Sequence, residues 1–276
     1  MPLTFPVTLA VLGAALLHAS WNALLKRSPD KQLDTVAFSI GSALLAFAVA
    51  AWLPAPAPAS WPWLAASAGV HIVYFTFLAG AYHWGDLSYV YPIMRGGGPV
   101  LVALAGTAVF GEVLAPLPAL GVALVCAGII AFASGRANPR STAFALGNAI
   151  VIATYTVIDA KGARASGNPV AYAMWFFVAN GIALYLWAGA RRGAALPRYL
   201  AANRLRILTG AALTTGSYGV ALWAMTRAPV ALVAVLRETA VIFGALIAHF
   251  VLEEKLTRRR LLATGAVMLG LVALKL

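Results

Sequence analysis

Apolar runs about twenty residues long, each stopped by a charge, a proline or a glycine, follow one another along the whole of this sequence. At 1.5 Å per residue, such a run covers about 30 Å, the hydrocarbon thickness of a bilayer. The pattern predicts ten helices, at about 5–25, 34–53, 62–83, 87–110, 116–134, 141–160, 169–189, 205–226, 229–251 and 258–275. No connection exceeds about 16 residues, which leaves no room for a soluble domain. The short alternating segments of a membrane barrel are absent. The first run has no Lys or Arg before Lys26, so it lacks the charged start of a secretory signal and counts as a span. "LPAPAPASWPW" (53–63) reads as a Pro-rich turn with tryptophans suited to a membrane interface.

Two charges interrupt the apolar pattern. Arg95 lies about nine residues into the fourth predicted helix and Arg237 about nine into the ninth. Each is roughly 13 Å deep, near the middle of the core. A midplane arginine costs about 2.5–3.5 kcal/mol on insertion scales, so something compensates for it or uses it. A shift of 142 residues superposes the two: Arg95 meets Arg237, Ala103–Leu104 meets Ala245–Leu246, Glu112 meets Glu254 and Gly128 meets Gly270. The halves, 1–135 and 141–276, hold five predicted helices each. Five is odd, so the second copy enters the membrane upside down. The expected fold is all-α integral membrane, with ten transmembrane helices as two inverted five-helix repeats. That architecture belongs to secondary transporters, whose substrate sites lie at the midplane between the repeats.

Composition agrees. Of 276 residues, 62% are hydrophobic and 10% charged, against about a quarter charged in soluble domains. The net charge of +12 does not point to nucleic acid, because the basic residues crowd short loops. Loops after odd-numbered helices hold fourteen Lys or Arg, the opposite side four. The positive-inside rule then places the odd-numbered loops in the cytoplasm and both termini outside, in a bacterial inner membrane. A single cysteine, Cys126, excludes an intramolecular disulfide.

Several polar faces are candidate sites. His18, Trp21 and Asn22 share one face of the first helix, as a substrate wall or as interhelical glue; Lys26 beyond them reads as an interfacial anchor. The third helix aligns His71, Tyr74, Phe75, Leu78 and Tyr82. Such aromatic stripes are more often core, but tyrosine hydroxyls at membrane depth need partners. The fourth helix aligns Ser88, Tyr91 and Arg95, followed by Gly96, Gly97, Gly98 and Pro99. That sequence predicts either a helix break lining a cavity or a kink admitting a close neighbour; the second copy reads "RETAV" and predicts no break there. The sixth helix carries Asn148, Tyr155 and Asp159, with an Asp159–Lys161 ion pair as the simple expectation; the eighth carries Tyr218 and Trp223. Glu238 is expected to pair with Arg95 or Arg237 and to serve as a coupling or gating residue. Ala119, Ala123, Ala127 and Ala131 form a small-residue ridge suited to close helix contact. Glu112 and Glu254 suggest a matched capping role, and Glu253, Glu254 and Lys255 a solvated turn. No P-loop, H-E-x-x-H or G-x-S-x-G motif is present, and the four histidines are dispersed. Neither a metal nor a cofactor is expected.

Residues 81–132 and 224–274 also share a shape: a helix, a glutamate at its end (Glu112 in "FGEVL", Glu254 in "LEEKL") and a Gly-bearing helix. This resembles the drug/metabolite transporter superfamily, EamA type. The resemblance implies a ten-helix carrier with a central cavity and a bias toward export. Members are commonly drawn with both termini in the cytoplasm, whereas the charges here say the reverse. "LHASWNALLK" (17–26) is more polar than the usual first helix and looks like a subgroup with its own substrate class.

The function expected is a secondary transporter moving a small polar or amphiphilic metabolite, amino-acid-like or an organic anion, by alternating access. The expected binding set is His18, Trp21, Asn22, Tyr74, Tyr82, Tyr91, Arg95, Tyr155, Tyr218, Trp223 and Arg237, with protons as a candidate coupling ion. The bilayer is the other partner, and the chain is a monomer or homodimer. The alternative is an integral-membrane enzyme acting on a lipid-linked substrate.

Overall fold

The computed structural model describes residues 3–28, 30–133, 137–193, 195–251 and 258–273. Helices account for nearly all of them. They are α1 (Phe5–Lys26), α2 (Lys31–Ala50), α3 (Trp61–Trp84), α4 (Leu87–Phe110), α5 (Pro116–Ile130), α6 (Pro139–Ala165), α7 (Pro169–Arg192), α8 (Ala195–Ala202), α9 (Arg204–Met225), α10 (Val230–Arg237), α11 (Ala240–Phe250) and α12 (Arg258–Ala273). Seven of the described helical stretches are long and apolar enough to cross a membrane. Large apolar side chains point outward from several of them, Leu44, Leu104, Leu186 and Phe250 among them. Water penalises such a surface, whereas lipid tails accept it.

Local chemistry sets the helix starts. Asp30 accepts from the Leu33 N–H at 2.9 Å and opens α2. Asn138 and Asn168 do the same for α6 and α7, each followed by a proline at the first helical position. Gly111, at φ 65°, closes α4 in the left-handed conformation that favours glycine.

Two helices depart from the sequence reading. The break expected at Gly96–Pro99 is absent: α4 runs unbroken from Leu87 to Phe110 with Pro92 and Pro99 inside it. The glycines serve close packing instead. A Cβ on Gly96 would lie 3.0 Å from the Cys126 carbonyl oxygen of α5; one on Gly97 would lie 3.1 Å from Ala149 Cβ and one on Gly98 2.9 Å from Ile152 Cγ2, both on α6. The interruption falls in the second copy. There α10 ends at Arg237 and α11 begins at Ala240, and the N–H groups of Glu238 and Thr239 donate only three residues back, to Val235 and Leu236 at 3.0 and 3.2 Å. The Thr239 hydroxyl also donates to the Leu236 carbonyl at 2.8 Å, so side chain and backbone compete for one acceptor. In addition, the loop after the seventh predicted helix contains α8, a short helix the periodicity did not single out.

The packing is paired. α3 and α4 lie against α6, while α1 lies against α9, α10 and α11; α2 packs on α7 and α9, and α5 pairs with α12. Phe144 fills the space over Gly80 and Phe77 that over Gly147, with the two rings 5.8 Å apart. The alanine ridge expected to mediate close contact on α5 is exposed at Ala119, Ala123, Ala127 and Ala131. The close approach is made on the other face, where a Cβ on Gly270 of α12 would come within 2.8 Å of the Gly121 carbonyl oxygen.

Candidate functional site

Arg95 of α4 reaches across to Glu238 at the α10–α11 turn. Its Nη2 lies 2.7 Å from Oε1 and its Nε 3.1 Å from Oε2, the fork geometry that guanidinium and carboxylate share. The two side chains are 13% and 5% exposed, so water does little to screen the pair. The expected pairing thus goes to Arg95. Arg237 makes no ion pair among the described residues; its guanidinium sits 5.0 Å from the Tyr218 ring centroid, and its buried Nε has no hydrogen-bond partner.

An aromatic wall adjoins these charges. The His71 ring lies 4.5 Å from Tyr155 and 5.2 Å from Phe176, and its Nδ1–H donates to the Ser67 carbonyl at 2.9 Å. Tyr74 meets Tyr155 edge-on at 5.9 Å, and Tyr218 meets Phe176 at 5.2 Å. Tyr74, Tyr91 and Tyr155 all stand within electrostatic reach of Arg95, and Tyr82 stands within reach of Tyr74, Tyr91 and Arg95. From α1, His18 comes within reach of both Arg95 and Arg237 and contacts Trp21 at 5.0 Å. Asn22 is turned back on its own helix, donating to the His18 carbonyl at 2.7 Å. Trp223 packs against the same core as the wall, and its ring also faces the Arg227 guanidinium 5.1 Å away, near the C-terminal end of α9. The Ser88 side chain lies outside the described set.

The sequence reading misjudged Asp159. It forms no pair with Lys161, whose amine lies 5.2 Å from the Trp63 ring. Because α6 continues to Ala165, Asp159 is carried inside the bundle, fully buried. There it accepts from the Tyr218 hydroxyl at 2.5 Å and from that of Tyr172 at 3.5 Å. Phe176, Phe177 and Tyr172 of α7 were also missed; they lie in an apolar run that gives no sign of which face turns inward. Asn148 donates to Met94 Sδ at 3.0 Å.

Two further clusters tie helix ends. Arg164 Nη2 meets Glu112 Oε1 at 2.6 Å and its Nε donates to the Met225 carbonyl at 2.9 Å, while Glu112 Oε2 caps α10 by accepting from the Val230 N–H at 2.8 Å. This fulfils the capping role expected of Glu112, beside a cavity of about 520 Å³. Its counterpart Glu254, with Glu253 and Lys255, lies outside the described residues. At the opposite end, fully buried Asp34 lies 2.8 Å from Arg206 Nε, as an ion pair rather than an aligned hydrogen bond, and accepts from the Tyr199 hydroxyl at 2.6 Å. Burial and that hydrogen bond push the Tyr199 hydroxyl up to about 12.

Comparison with known proteins adds family and fold. The model of the EamA-like transporter family matches residues 140–276. A crystal structure of another protein, 18% identical, aligns over 97% of this chain and 96% of its own with a TM-score of 0.74, a likeness of fold alone. No curated relative matches the sequence.

Proposed function

The chain belongs to the EamA-like transporter family, and on that premise we propose that it is a secondary carrier of two oppositely inserted five-helix halves, 1–135 and 141–276, moving a small anionic or zwitterionic metabolite by alternating access. The matched packing supports the inversion: α6 against α3 and α4 answers α1 against α9 and the α10–α11 pair, while α2 meets α7 and α5 meets α12. Orientation follows the charge count, with odd-numbered loops cytoplasmic in a bacterial inner membrane, and the direction is export.

One observation carries the reading. Two arginines related by the repeat lie in the interior, yet among the described residues only Arg95 has a carboxylate partner. Arg95 with Glu238 locks α4 to the α10–α11 turn. Arg237, whose buried Nε has no hydrogen-bond partner among the described residues, is the cation offered to a carboxylate or phosphonate head beside Tyr218, and the aromatic wall contacts the organic body. A proton or anion competing for the Arg95–Glu238 pair loosens the lock and favours the other facing state. An enzyme acting on lipid-linked substrates gathers its acid and base groups near one interface, whereas here they converge between α4, α6, α9 and α10.

The test is flux into proteoliposomes, screened over radiolabelled amino acids and aryl carboxylates. The expected result is saturable movement of a carboxylate-bearing compound, reduced at least tenfold in Arg237→Ala. Equal flux in protein-free vesicles across the whole panel refutes the carrier reading.

A further inference from the structure

Among the described residues three acidic side chains are buried, and two of them have a cation. Asp34 faces Arg206 at 2.8 Å and Glu238 faces Arg95 at 2.7 Å. The third, Asp159, is fully buried and makes no ion pair among the described residues. Its partners are hydroxyls: Tyr218 from α9 at 2.5 Å and Tyr172 from α7 at 3.5 Å. From α3 it is approached by Ser67, itself engaged with His71. Arg237 from α10 lies within electrostatic reach but stops on the Tyr218 ring; α4 commits its own charge, Arg95, to Glu238. An anionic carboxylate in an apolar interior is strongly disfavoured without a countercharge, and intramembrane acids are rarely kept without use.

We propose that Asp159 is the cation site of the carrier, receiving a monovalent hydrogen-bonding cation: the ammonium group of an amine-bearing substrate, or a proton. The proposal rests on the carrier reading and deepens it. Geometry favours such a ligand. Oδ2 is held by the short Tyr218 bond, whereas the Tyr172 contact to Oδ1 is long; with Ser67 as the third hydroxyl, the carboxylate's roughly four lone-pair positions still leave room for an incoming N–H or proton. The rings of Tyr155, Phe176 and Tyr218 cluster beside it, within 6.4 Å of one another where they pair, and offer faces to an organic cation. Tyr218 joins the two charge sites, its hydroxyl on Asp159 and its face under Arg237. Filling one is therefore felt at the other, and a zwitterion satisfies both.

The test needs no flux. Thermal unfolding of the purified protein in detergent is followed with phenethylamine, with phenylacetate, and without ligand from about pH 5 to about pH 8. If an ammonium group is the ligand, phenethylamine raises the Tm of wild type and of Arg237→Gln, and Asp159→Asn loses that rise. If a proton is the ligand, phenethylamine has no effect, and the Tm of wild type and of Glu238→Gln changes with pH by more than that of Asp159→Asn; the histidine contribution is common to all three and cancels in that difference. Should Asp159→Asn not fold, Tyr218→Phe keeps the carboxylate and removes its short donor, and the same response weakens. A variant matching wild type in both arms overturns the proposal while leaving the flux assay to judge the carrier.

Discussion

Replacing Arg95 by Met tests whether the Arg95–Glu238 pair acts as a unit. Opposite charges with centres about 4 Å apart attract by about 4 kcal/mol at an effective dielectric near 20. Against this stands the desolvation of both groups, which are 13% and 5% exposed. Taking away one member leaves the other buried and uncompensated, at a cost of about 3–5 kcal/mol; replacing both with apolar groups of similar volume is close to neutral. Arg95→Met and Glu238→Leu should therefore each destabilise strongly, and the double variant should cost less than either single. The coupling is then at least about 3 kcal/mol, at the upper end for contacting pairs. Reversible unfolding in mixed micelles, read through the eight tryptophans, supplies the four free energies. Additive costs, with the double variant as damaged as the two singles together, refute the reasoning, for they mean that Arg237 rather than Arg95 balances Glu238.

Two other outcomes follow from local geometry. Gly96→Leu should lower the Tm in detergent by the equivalent of about 1–3 kcal/mol of overpacking, because its Cβ would crowd Ile130 and the Cys126 carbonyl; Gly13→Leu, with nothing within 4 Å of its Cβ, should leave it unchanged or raise it. Tyr199 titrates near pH 10 in the unfolded chain and at about 12 in the fold, raised first by burial and then by its bond to Asp34. A raised folded value means its contribution is complete below about pH 10 and is lost as pH climbs toward about 12. Tyr199→Phe should therefore flatten that alkaline loss of stability, and equal slopes in both proteins would contradict it.

The spans were legible because lipid leaves a strong periodic mark: α1, α3, α4 and α7 begin and end within a few residues of the apolar runs that predict them. Arg95, Arg237 and Glu238 were legible for the complementary reason, that charge in an apolar run is conspicuous. Two things were not. The "GGGP" stretch of 96–99 carries the same letters whether a helix breaks or a neighbour presses close, and the choice belongs to Cys126, Ala149 and Ile152, far away in sequence. Asp159 sits two residues from Lys161, where a local ion pair is the economical guess. On a helix, however, residues two apart face different directions, and α6 turns Asp159 inward and Lys161 toward Trp63.

That inward turn reshapes what the repeat means. If both arginines had acids, the interior would be a closed set of ion pairs with nothing left for a ligand. The α10–α11 turn prevents this. By shortening its hydrogen bonds to three residues at Glu238 and Thr239, it rotates the Glu238 carboxylate onto Arg95 of the other half and leaves Arg237, its chain neighbour, facing Tyr218. The second half thus gives away its acid and keeps its base, while Asp159 makes no ion pair among the described residues. On the proposed carrier reading, one charge pair fastens the halves, and one separated pair, bridged by a phenol, stays open to a guest. An exact repeat cannot make that division, which is why the departure of "RETAV" from "RGGGP" matters more for function than the positions the two copies share.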